Sequence, residues 1–394
     1  MKDVLVISAR RTAVGRALKG TLRHTRPDDL GAAVVRQLVA EYPSLDASRL
    51  GDVIMGCAMP EGEQGMNVGR NIALMAGLPV TVPGMTVNRF CSSGLETVNY
   101  AALKIAAGQC EAAIAGGVET MTMVPMGGLR YLPSPAMARE HPEHLTNMGL
   151  TAENLVERDG ITRAEQDAFA CESHRKAVAA IAAGRFADEI VPVQAALPGR
   201  DAKGRPAQQL VEFKVDEGPR ADTTIEALAR LKPAFKVDGT VTAGNASQMS
   251  DGAAAALLGT REFADSIGAP PLARFVAYAV AGVPPEVMGI GPVEAVPRAL
   301  AQAGLKLEQM DVIELNEAFA AQSLAVCRAL GLRPDDPRLN PNGGAIALGH
   351  PLGCTGAKLL ATALHELRRR GGRYALVTMC IGTGMGAAGI FEAV

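Results

Sequence analysis

The sequence predicts an α/β protein made of two similar halves, each alternating strands and helices, with a long insertion between them. In the first half, short apolar runs at 4–8 and 52–55 flank a helical apolar pattern that begins at Asp28. After residue 270 the same order returns, and the sequence that follows Cys91 recurs after Cys354, at an offset of 263 residues. Strands that alternate with helices form parallel-rich sheets covered by helices, so we expect two such layers packed together.

The first half supplies a candidate nucleophile. A β-branched run at 80–87 ends just before Cys91, and a helical apolar pattern follows from Leu95 to Ile105. A cysteine at the start of a helix meets free backbone amides and the positive end of the helix dipole, which both favour a thiolate. We therefore expect Cys91 to ionise near neutral pH, although free cysteines more often pack as small apolar residues.

The alternation is interrupted by residues 121–242. This stretch opens with a run rich in glycine, proline and methionine, and Thr162 and Glu165 form a capping box ahead of a helix. We predict an N-terminal half at 1–120 that is completed by about 243–269. An inserted loop domain occupies 121–242, and the C-terminal half runs over 270–394.

The second half repeats the strands and helix of the first and adds polar segments at strand ends. Strands are expected at 273–280 and 311–314, with a helix at 292–303 between them. Asn316 follows a strand directly, His350 lies in a glycine-dense loop that leads into a helix, and Cys380 ends a strand before four closely spaced glycines. Polar groups at the carboxyl ends of strands and glycine-rich backbone are typical of α/β active sites.

Composition excludes several classes of function. A net charge of -2 gives no electrostatic reason to expect nucleic acid or an anionic membrane as a partner. No apolar run approaches the length of a membrane span, and the N-terminal run is too short for a signal peptide. The seven cysteines lack a disulfide spacing, so we expect a reducing, cytoplasmic location.

Taken in order, these motifs resemble the thiolases over essentially the whole chain, and within that family most closely the bacterial degradative 3-ketoacyl-CoA thiolases. The resemblance implies two five-stranded mixed sheets in an αβαβα arrangement of layers, plus an inserted loop domain. It also implies an acyltransferase that acts on acyl-CoA and CoA. The motifs lie at 88–94 (NRFCSSG), 244–247 (GNAS), 316–319 (NEAF), 343–351 (GGAIALGHP) and 380–386 (CIGTGMG).

The resemblance implies a role for each matched residue. Cys91 is the nucleophile that carries the acyl group, His350 accepts its proton, and Cys380 is the acid that protonates the acetyl-CoA enolate. Asn316 holds a water at the enolate oxygen, and the backbone N–H groups of Cys91 and Gly382 form the oxyanion hole. Contacts with substrate or CoA are expected from Ser247, Arg220, Phe235, Met148, Ala243, Gly244, Ala318 and Phe319.

The same resemblance implies that no metal or cofactor is needed, because CoA is a substrate. It also implies a homodimer or homotetramer. One alternative is an acetyl-CoA acetyltransferase, an acetoacetyl-CoA thiolase running toward condensation. A ketosynthase of fatty-acid synthesis is less well matched, because it would carry histidine or asparagine in place of Cys380. A non-catalytic acyl-CoA-binding or thiol-sensing protein is more remote, and a Cys91–Cys380 disulfide under oxidation is a further hypothesis.

Overall fold

The computed structural model describes residues 3–394. Its strands are β1 Leu5–Thr12, β2 Gly15–Arg16, β3 Leu50–Gly56, β4 Gly84–Val87, β5 Ala112–Thr120, β6 Ile190–Val191, β7 Val193–Arg200, β8 Pro206–Phe213, β9 Ser250–Gly259, β10 Ala273–Gly282, β11 Val312–Leu315, β12 Tyr374–Ile381 and β13 Met385–Ala393.

The α-helices are α1 Pro27–Ala40, α2 Val68–Met75, α3 Ser93–Ala106, α4 Pro135–Glu140, α5 Met148–Asp159, α6 Arg163–Ala182, α7 Ile225–Ala229, α8 Arg261–Ser266, α9 Gly291–Ala303, α10 Ala320–Leu330, α11 Ala345–Leu348 and α12 Leu352–Arg370. Short 3-10 turns span Thr21–His24, Ala47–Arg49, Gly62–Gln64, Phe90–Ser92, Pro142–Leu145, Pro285–Ile290 and Leu307–Gln309.

The two halves carry mixed sheets, which confirms the predicted fold class. The first half has the strand order β4-β3-β5-β9-β1, and the second has the order β10-β13-β12-β11. A parallel bridge between Ile313 and Leu339 adds to the far edge of the second sheet. The two sheets are joined edge to edge, because β1 pairs antiparallel with β10 at Leu5–Arg274 and Val6–Ala273. This direct strand pairing between the halves was not anticipated from the sequence.

Helices α3 and α12 form the layer between the two sheets. The apolar faces of both helices share one core cluster with strands of both halves. Close packing depends on glycine at the crossing. A Cβ added to Gly94 would lie 2.8 Å from the backbone nitrogen of Ala357, and one added to Gly356 would lie 2.3 Å from that of Leu95. The two sequence segments predicted to repeat, after Cys91 and after Cys354, are therefore the two helices that cross here.

The outer layers complete the arrangement. Helix α1 buries Leu30, Val34, Val35 and Leu38 against the first sheet, as the sequence pattern predicts. Helices α9 and α10 cover the outer face of the second sheet in the same way. The run predicted at 80–87 contributes only β4, since Pro83, which lacks a backbone N–H, precedes its first residue. Within residues 3–394, none of the helices has the length and hydropathy needed to cross a membrane.

The insertion lies between β5 and β9 and holds α4 to α7 and the β7–β8 hairpin. It is attached to the body by the pairing of β6 with β1 and by a fully buried ion pair from Arg11 to Glu189 and Asp216. Its boundaries at 121 and 242 as a separate domain stay a prediction.

Candidate active site

Cys91 lies in the 3-10 turn Phe90–Ser92 that leads directly into α3. The side chain of Asn88 accepts a hydrogen bond from the backbone N–H of Phe90 at 2.8 Å, and that of Ser93 accepts one from Arg89 at 2.9 Å. Phe90 has a φ of 44°, a left-handed conformation that is costly for a residue with a Cβ. The polar residues around Cys91 thus hold a strained turn that presents the cysteine at the helix start.

The expectation that Cys91 is a thiolate near neutral pH is not supported by its surroundings. Burial raises the pKa of Cys91 to about 11, although the backbone N–H groups of Gly382 and of Cys91 itself lower it. The effect of desolvation on the pKa of Cys91 is therefore larger than the effect of the free N–H groups at the helix start. The resting group is a neutral thiol, which must lose its proton to a base before it can attack.

Cys380 and Gly382 lie at the tip of the β12–β13 hairpin. Cys380 is fully buried at the end of β12, and burial raises its pKa above the ordinary value, with the neighbouring Cys91 adding to the effect. Thr383 and Gly384 have φ values of 65° and 85°, which turn the chain tightly after Gly382. This turn directs the backbone N–H of Gly382 toward the sulfur of Cys91.

His350 is buried, 4% exposed, and is fixed through both ring nitrogens. Nδ1 lies 2.6 Å from the hydroxyl of Thr355, and that hydroxyl donates to the carbonyl of Pro351 at 2.9 Å. Nδ1 must therefore carry the proton, which leaves Nε2 unprotonated and 3.3 Å from Nδ2 of Asn316. Burial and the nearby Lys358 lower the pKa of His350 to about 3, so the ring is neutral at pH 7.

Asn316 extends β11 by one residue, because its N–H bonds to the carbonyl of Thr378 at 2.9 Å. Its side chain is 1% exposed, and its Oδ1 has no hydrogen-bond partner anywhere in residues 3–394. A buried acceptor without a partner is rare in folded proteins, and it indicates a group reserved for a water or a ligand.

These residues form one continuous site. The N–H of Gly382 reaches Cys91, Asn316 bonds to His350, and Leu352, two residues after His350, packs in the same apolar cluster as Cys91. The structure thus brings together all five residues that the sequence indicated as catalytic. Their individual roles stay predictions.

Two buried carboxylates hold the loops of this site in place. Glu317 belongs to the motif at 316–319, but its supporting role was not expected, and Glu119 was not identified from the sequence at all. Glu119 accepts hydrogen bonds from the backbone N–H groups of Ala58 and Gly353, at 2.8 and 2.7 Å, so it joins β5 to the start of α12. Glu317 accepts from Ser173 and Asn340 at 2.6 and 2.8 Å and secures the loop before α11. An acidic residue inside an apolar strand such as β5 is the signal that could have revealed Glu119.

Most of the residues expected to contact substrate or CoA lie together beside Cys380. Met148 and the buried Ala318 and Phe319 pack in one cluster with Cys380, and the rings of Phe235 and Phe319 meet edge to face at 6.0 Å. Ser247 donates its N–H to the carbonyl of Ala318 at 2.9 Å. These five residues form one continuous patch beside Cys380.

The other expected contacts lie further out. Gly244 packs beside Leu228 and Leu231, and Ala243 is exposed. Arg220 is exposed and its backbone N–H bonds to Nδ1 of His174 at 3.1 Å. Burial and the charge of Arg220 lower the pKa of His174 to about 4, so that ring remains neutral beside the guanidinium.

Two sheets with helices between them, a partly exposed Cys91 beside the buried Cys380, and a neutral histidine in the same site define a cysteine-containing α/β acyltransferase. Comparison with known proteins agrees with this class. The family models for the thiolase N-terminal and C-terminal domains match residues 4–262 and 269–393. The chain therefore belongs to the thiolase family.

Its relatives differ in the substrates that their names state. The chain is 53% identical to a 3-ketoacyl-CoA thiolase of Bacillus subtilis, with 100% of both chains covered. It is 50% identical to an acetyl-CoA acetyltransferase of Pseudomonas aeruginosa, with 98% of both covered. The crystal structure of the Bacillus anthracis acetyl-CoA acetyltransferase is 41% identical and superposes with a TM-score of 0.89 over 100% of this chain and 99% of that one.

Proposed function

We propose that this protein is a 3-ketoacyl-CoA thiolase, which uses CoA to cleave a 3-oxoacyl-CoA into acetyl-CoA and a shortened acyl-CoA during fatty-acid β-oxidation. The observation that carries the proposal is the convergence of Cys91, Cys380, His350 and Asn316 at one buried site. Similarity to the Bacillus subtilis enzyme supports the 3-oxoacyl substrate.

The surroundings of Cys91 favour an acyl chain longer than acetyl. Cys91 packs against apolar residues that include Met59 and Met121. Beyond them, Leu129 packs near Gly62 and donates its backbone N–H to Glu61 at 2.7 Å. The segment around Leu129 leaves apolar side chains exposed, at Met126, Leu129, Tyr131, Leu132 and Met137. Apolar surface of this kind suits an alkyl tail, because each buried methylene contributes about 0.8 kcal/mol.

In the first half of the reaction, Nε2 of His350 accepts the proton of the Cys91 thiol, and the thiolate attacks the 3-keto carbonyl. The N–H groups of Cys91 and Gly382 stabilise the tetrahedral oxyanion, and loss of one such donor typically costs about 3 kcal/mol. The bond between C2 and C3 then breaks. The enolate of acetyl-CoA leaves, stabilised at its oxygen by the protonated His350 and by a water on Oδ1 of Asn316.

Cys380 closes this half by giving its proton to C2 of the enolate. Its raised pKa fits this role, because the group remains a thiol at neutral pH. In the second half, the thiol of free CoA passes its proton to the Cys380 thiolate and attacks the Cys91 thioester. The acyl group moves to CoA, His350 returns its proton to Cys91, and all groups regain their starting protonation states.

The CoA moiety would lie along the patch formed by Met148, Phe235, Ser247, Ala318 and Phe319, where the aromatic pair and the Ser247 hydroxyl suit the pantetheine arm. Gly244 and Ala243 lie further along the same face. Arg220, exposed at the outer end, suits a phosphate of the nucleotide. No metal or other cofactor enters these steps, since CoA itself is a substrate.

An acetyl-CoA acetyltransferase is the second candidate, favoured by the Pseudomonas aeruginosa relative and the Bacillus anthracis structure. It would use the same residues and reverse the overall direction, by condensing two acetyl groups. The two candidates differ in whether the substrate carries an alkyl tail that reaches the apolar surface beyond Met121.

A thiolysis assay separates the candidates. The loss of 3-oxoacyl-CoA on addition of CoA would be followed with acetoacetyl-CoA and with 3-oxo-octanoyl-CoA, and Cys91→Ala would serve as the inactive control. We expect a higher kcat/KM for the longer substrate. Turnover of acetoacetyl-CoA alone would support the acetyl-CoA acetyltransferase instead, and turnover of neither substrate would refute both candidate functions.

We further propose a homodimer in the cytoplasm. All seven cysteines are free thiols in the structure, in keeping with a reducing compartment. Strand β4 forms the edge of the first sheet, beside a groove of about 500 Å³ that is lined by Met85, Tyr100 and Leu103 among others. An open strand edge and an apolar groove are typical of a subunit interface. Light scattering on a sizing column should give twice the chain mass, and Leu103→Glu should shift it toward the monomer.

A further inference from the structure

A group of potential metal ligands lies outside the candidate active site, in the insertion. His141, Glu143 and His144 occupy the end of α4 and the 3-10 turn Pro142–Leu145. One ligand atom from each lies within 4.8 Å of the others. None of the three side chains takes part in the proposed reaction.

The two imidazoles converge on a single carboxylate oxygen. Nδ1 of His141 lies 3.2 Å from Oε1 of Glu143, and Nε2 of His144 lies 3.6 Å from the same atom. In a tetrahedral zinc site with bonds of about 2.0 to 2.1 Å, neighbouring ligand atoms are separated by roughly 3.3 Å. Both distances match that spacing. The two imidazole rings are stacked, with centroids 4.9 Å apart and planes inclined by 11°, so one ring must rotate about its side-chain torsions to direct its nitrogen at a shared ion, while the backbone of the turn can stay in place.

The backbone already holds the three residues in this arrangement. Pro142 occupies the first position of the turn, where its fixed φ favours the helical conformation. The N–H of His144 bonds to the carbonyl of His141 at 3.1 Å, and the hydroxyl of Thr146 bonds to that of Glu143 at 2.7 Å. Ligands ordered in advance lower the entropic cost of binding an ion.

We propose that His141, Glu143 and His144 bind a divalent transition metal, with Zn²⁺ as the preferred ion. Two imidazoles and one carboxylate are a donor set that zinc accepts, while calcium and magnesium favour oxygen ligands alone. All three side chains are partly or fully exposed, so water can complete the coordination.

The position of the site suggests what a bound ion would do. The turn Pro142–Leu145 packs on the turn Pro285–Ile290 of the second half, and Met288 of that turn lies in the cluster with Cys380. Three residues after Leu145, Met148 begins α5 and joins the same cluster. An ion bound at His141 would therefore stiffen the segment that leads into the cluster around Cys380.

Zinc binding can be measured by isothermal titration and by native mass spectrometry. Cys91 is first blocked with iodoacetamide, because a reactive thiol would bind zinc itself. We expect one Zn²⁺ per chain in the wild type. The double variant His141→Ala/His144→Ala should bind at least about tenfold more weakly, as should Glu143→Gln. His24→Ala, which removes an exposed histidine elsewhere, should bind like the wild type.

A second measurement follows the segment itself. Trypsin can cleave after the exposed Arg139 in α4 and after the exposed Lys203 in the β7–β8 turn. Zinc should slow cleavage after Arg139 severalfold in the wild type and leave cleavage after Lys203 unchanged, with no slowing in the double variant. Equal zinc affinity in the wild type and the double variant, or no binding by the wild type, would overturn the proposal. Neither readout depends on the thiolase reaction.

Discussion

Two opposing effects determine the protonation state of Cys91. The helix start and the N–H of Gly382 favour the thiolate, and removal of the sulfur from water favours the thiol. Burial dominates and raises the pKa of Cys91 to about 11. His350, with a pKa lowered to about 3, is too weak a base to remove the proton in the resting enzyme. The proton therefore moves only as substrate reacts.

This balance predicts the pH dependence of alkylation at Cys91. If the resting group is a thiol with a high pKa, the rate of iodoacetamide labelling should rise about tenfold per pH unit from pH 7 to pH 9, without a plateau. Peptide mass spectrometry identifies the labelled residue, and Cys91→Ala gives the background. A rate that is already constant between pH 6 and pH 8 would show that the thiolate exists at rest.

Thr355 is expected to act through His350. Replacement by valine keeps the shape of the side chain but removes the oxygen that accepts the Nδ1 proton. Nε2 would then be protonated in part of the population and unable to accept the Cys91 proton. Loss of a hydrogen bond worth about 1 to 1.5 kcal/mol predicts a fall in kcat of roughly tenfold, with KM unchanged.

The conservative variant Thr355→Ser is the matched control, since its hydroxyl can make the same bond and should restore most of kcat. A rise in KM at constant kcat in Thr355→Val would instead indicate damage to substrate binding. The melting temperature of both variants should be compared, so that a general loss of structure is recognised.

At the level of single residues, the sequence identified the groups that carry chemistry but not those that support them. Cys91, His350 and Cys380 stand out because glycine-dense motifs surround them. Thr355 and Glu119 have no such motif, and their partners are backbone groups and a ring nitrogen that only the folded chain brings near. The sequence also could not weigh burial against the helix start at Cys91, because desolvation depends on the layers packed around it.

Among the secondary-structure elements, the crossing of α3 and α12 connects the fold to the site. Cys91 lies two positions before the first residue of α3, and His350 lies two positions before the first residue of α12. The two helices approach closely at Gly94 and Gly356, where any side chain would meet backbone of the other helix. The spacing of the two helices therefore sets the spacing of the cysteine turn and the histidine loop.

Replacement of Gly94 by alanine should separate the two helices. The added Cβ would lie 2.8 Å from both the nitrogen of Ala357 and the carbonyl oxygen of Gly353, and backbone cannot move aside cheaply. Overpacking of this kind typically costs about 1 to 3 kcal/mol. We expect a lower free energy of unfolding in urea and a lower kcat.

Gly282→Ala is the matched control, because its Cβ would meet only the carbonyl of Gly384, at 4.0 Å. It should leave both stability and kcat close to the wild type. Equal behaviour of the two variants would show that the helix crossing has room to relax.

Periodicity predicted most of these elements because apolar residues recur at helical or strand spacing along a single segment. Periodicity could not predict the pairing of β1 with β10. The two strands are 268 residues apart, and their backbone hydrogen bonds leave no pattern in the side chains that would identify the partner strand. The ion pairs that attach the insertion to the body could not be predicted either, because Arg11 and its partners Glu189 and Asp216 lie in distant segments of the chain.

For the molecule as a whole, the insertion and both halves meet at the guanidinium of Arg11. Arg11 belongs to β1 and is 1% exposed. It donates to Oε1 of Glu189 at 2.5 Å and to both oxygens of Asp216, at 2.7 and 2.9 Å, and both carboxylates belong to the insertion. Glu189 in turn accepts a hydrogen bond from Thr362 of α12 at 2.9 Å. One cation thus links all three parts of the chain, so we expect them to unfold together.

Replacement of Arg11 by methionine tests this linkage, because it fills similar space and leaves two buried carboxylates without their cation. Breaking a buried ion pair in this way typically costs about 3 to 5 kcal/mol, while the exposed pair of Arg205 with Asp201 is screened by water and contributes little to stability. Arg205→Met is therefore the control. Urea unfolding of the wild type and of both variants measures the difference in stability. A single transition in the wild type that splits into two in the variant would show that Arg11 couples the insertion to the halves, and a variant as stable as Arg205→Met would contradict that role.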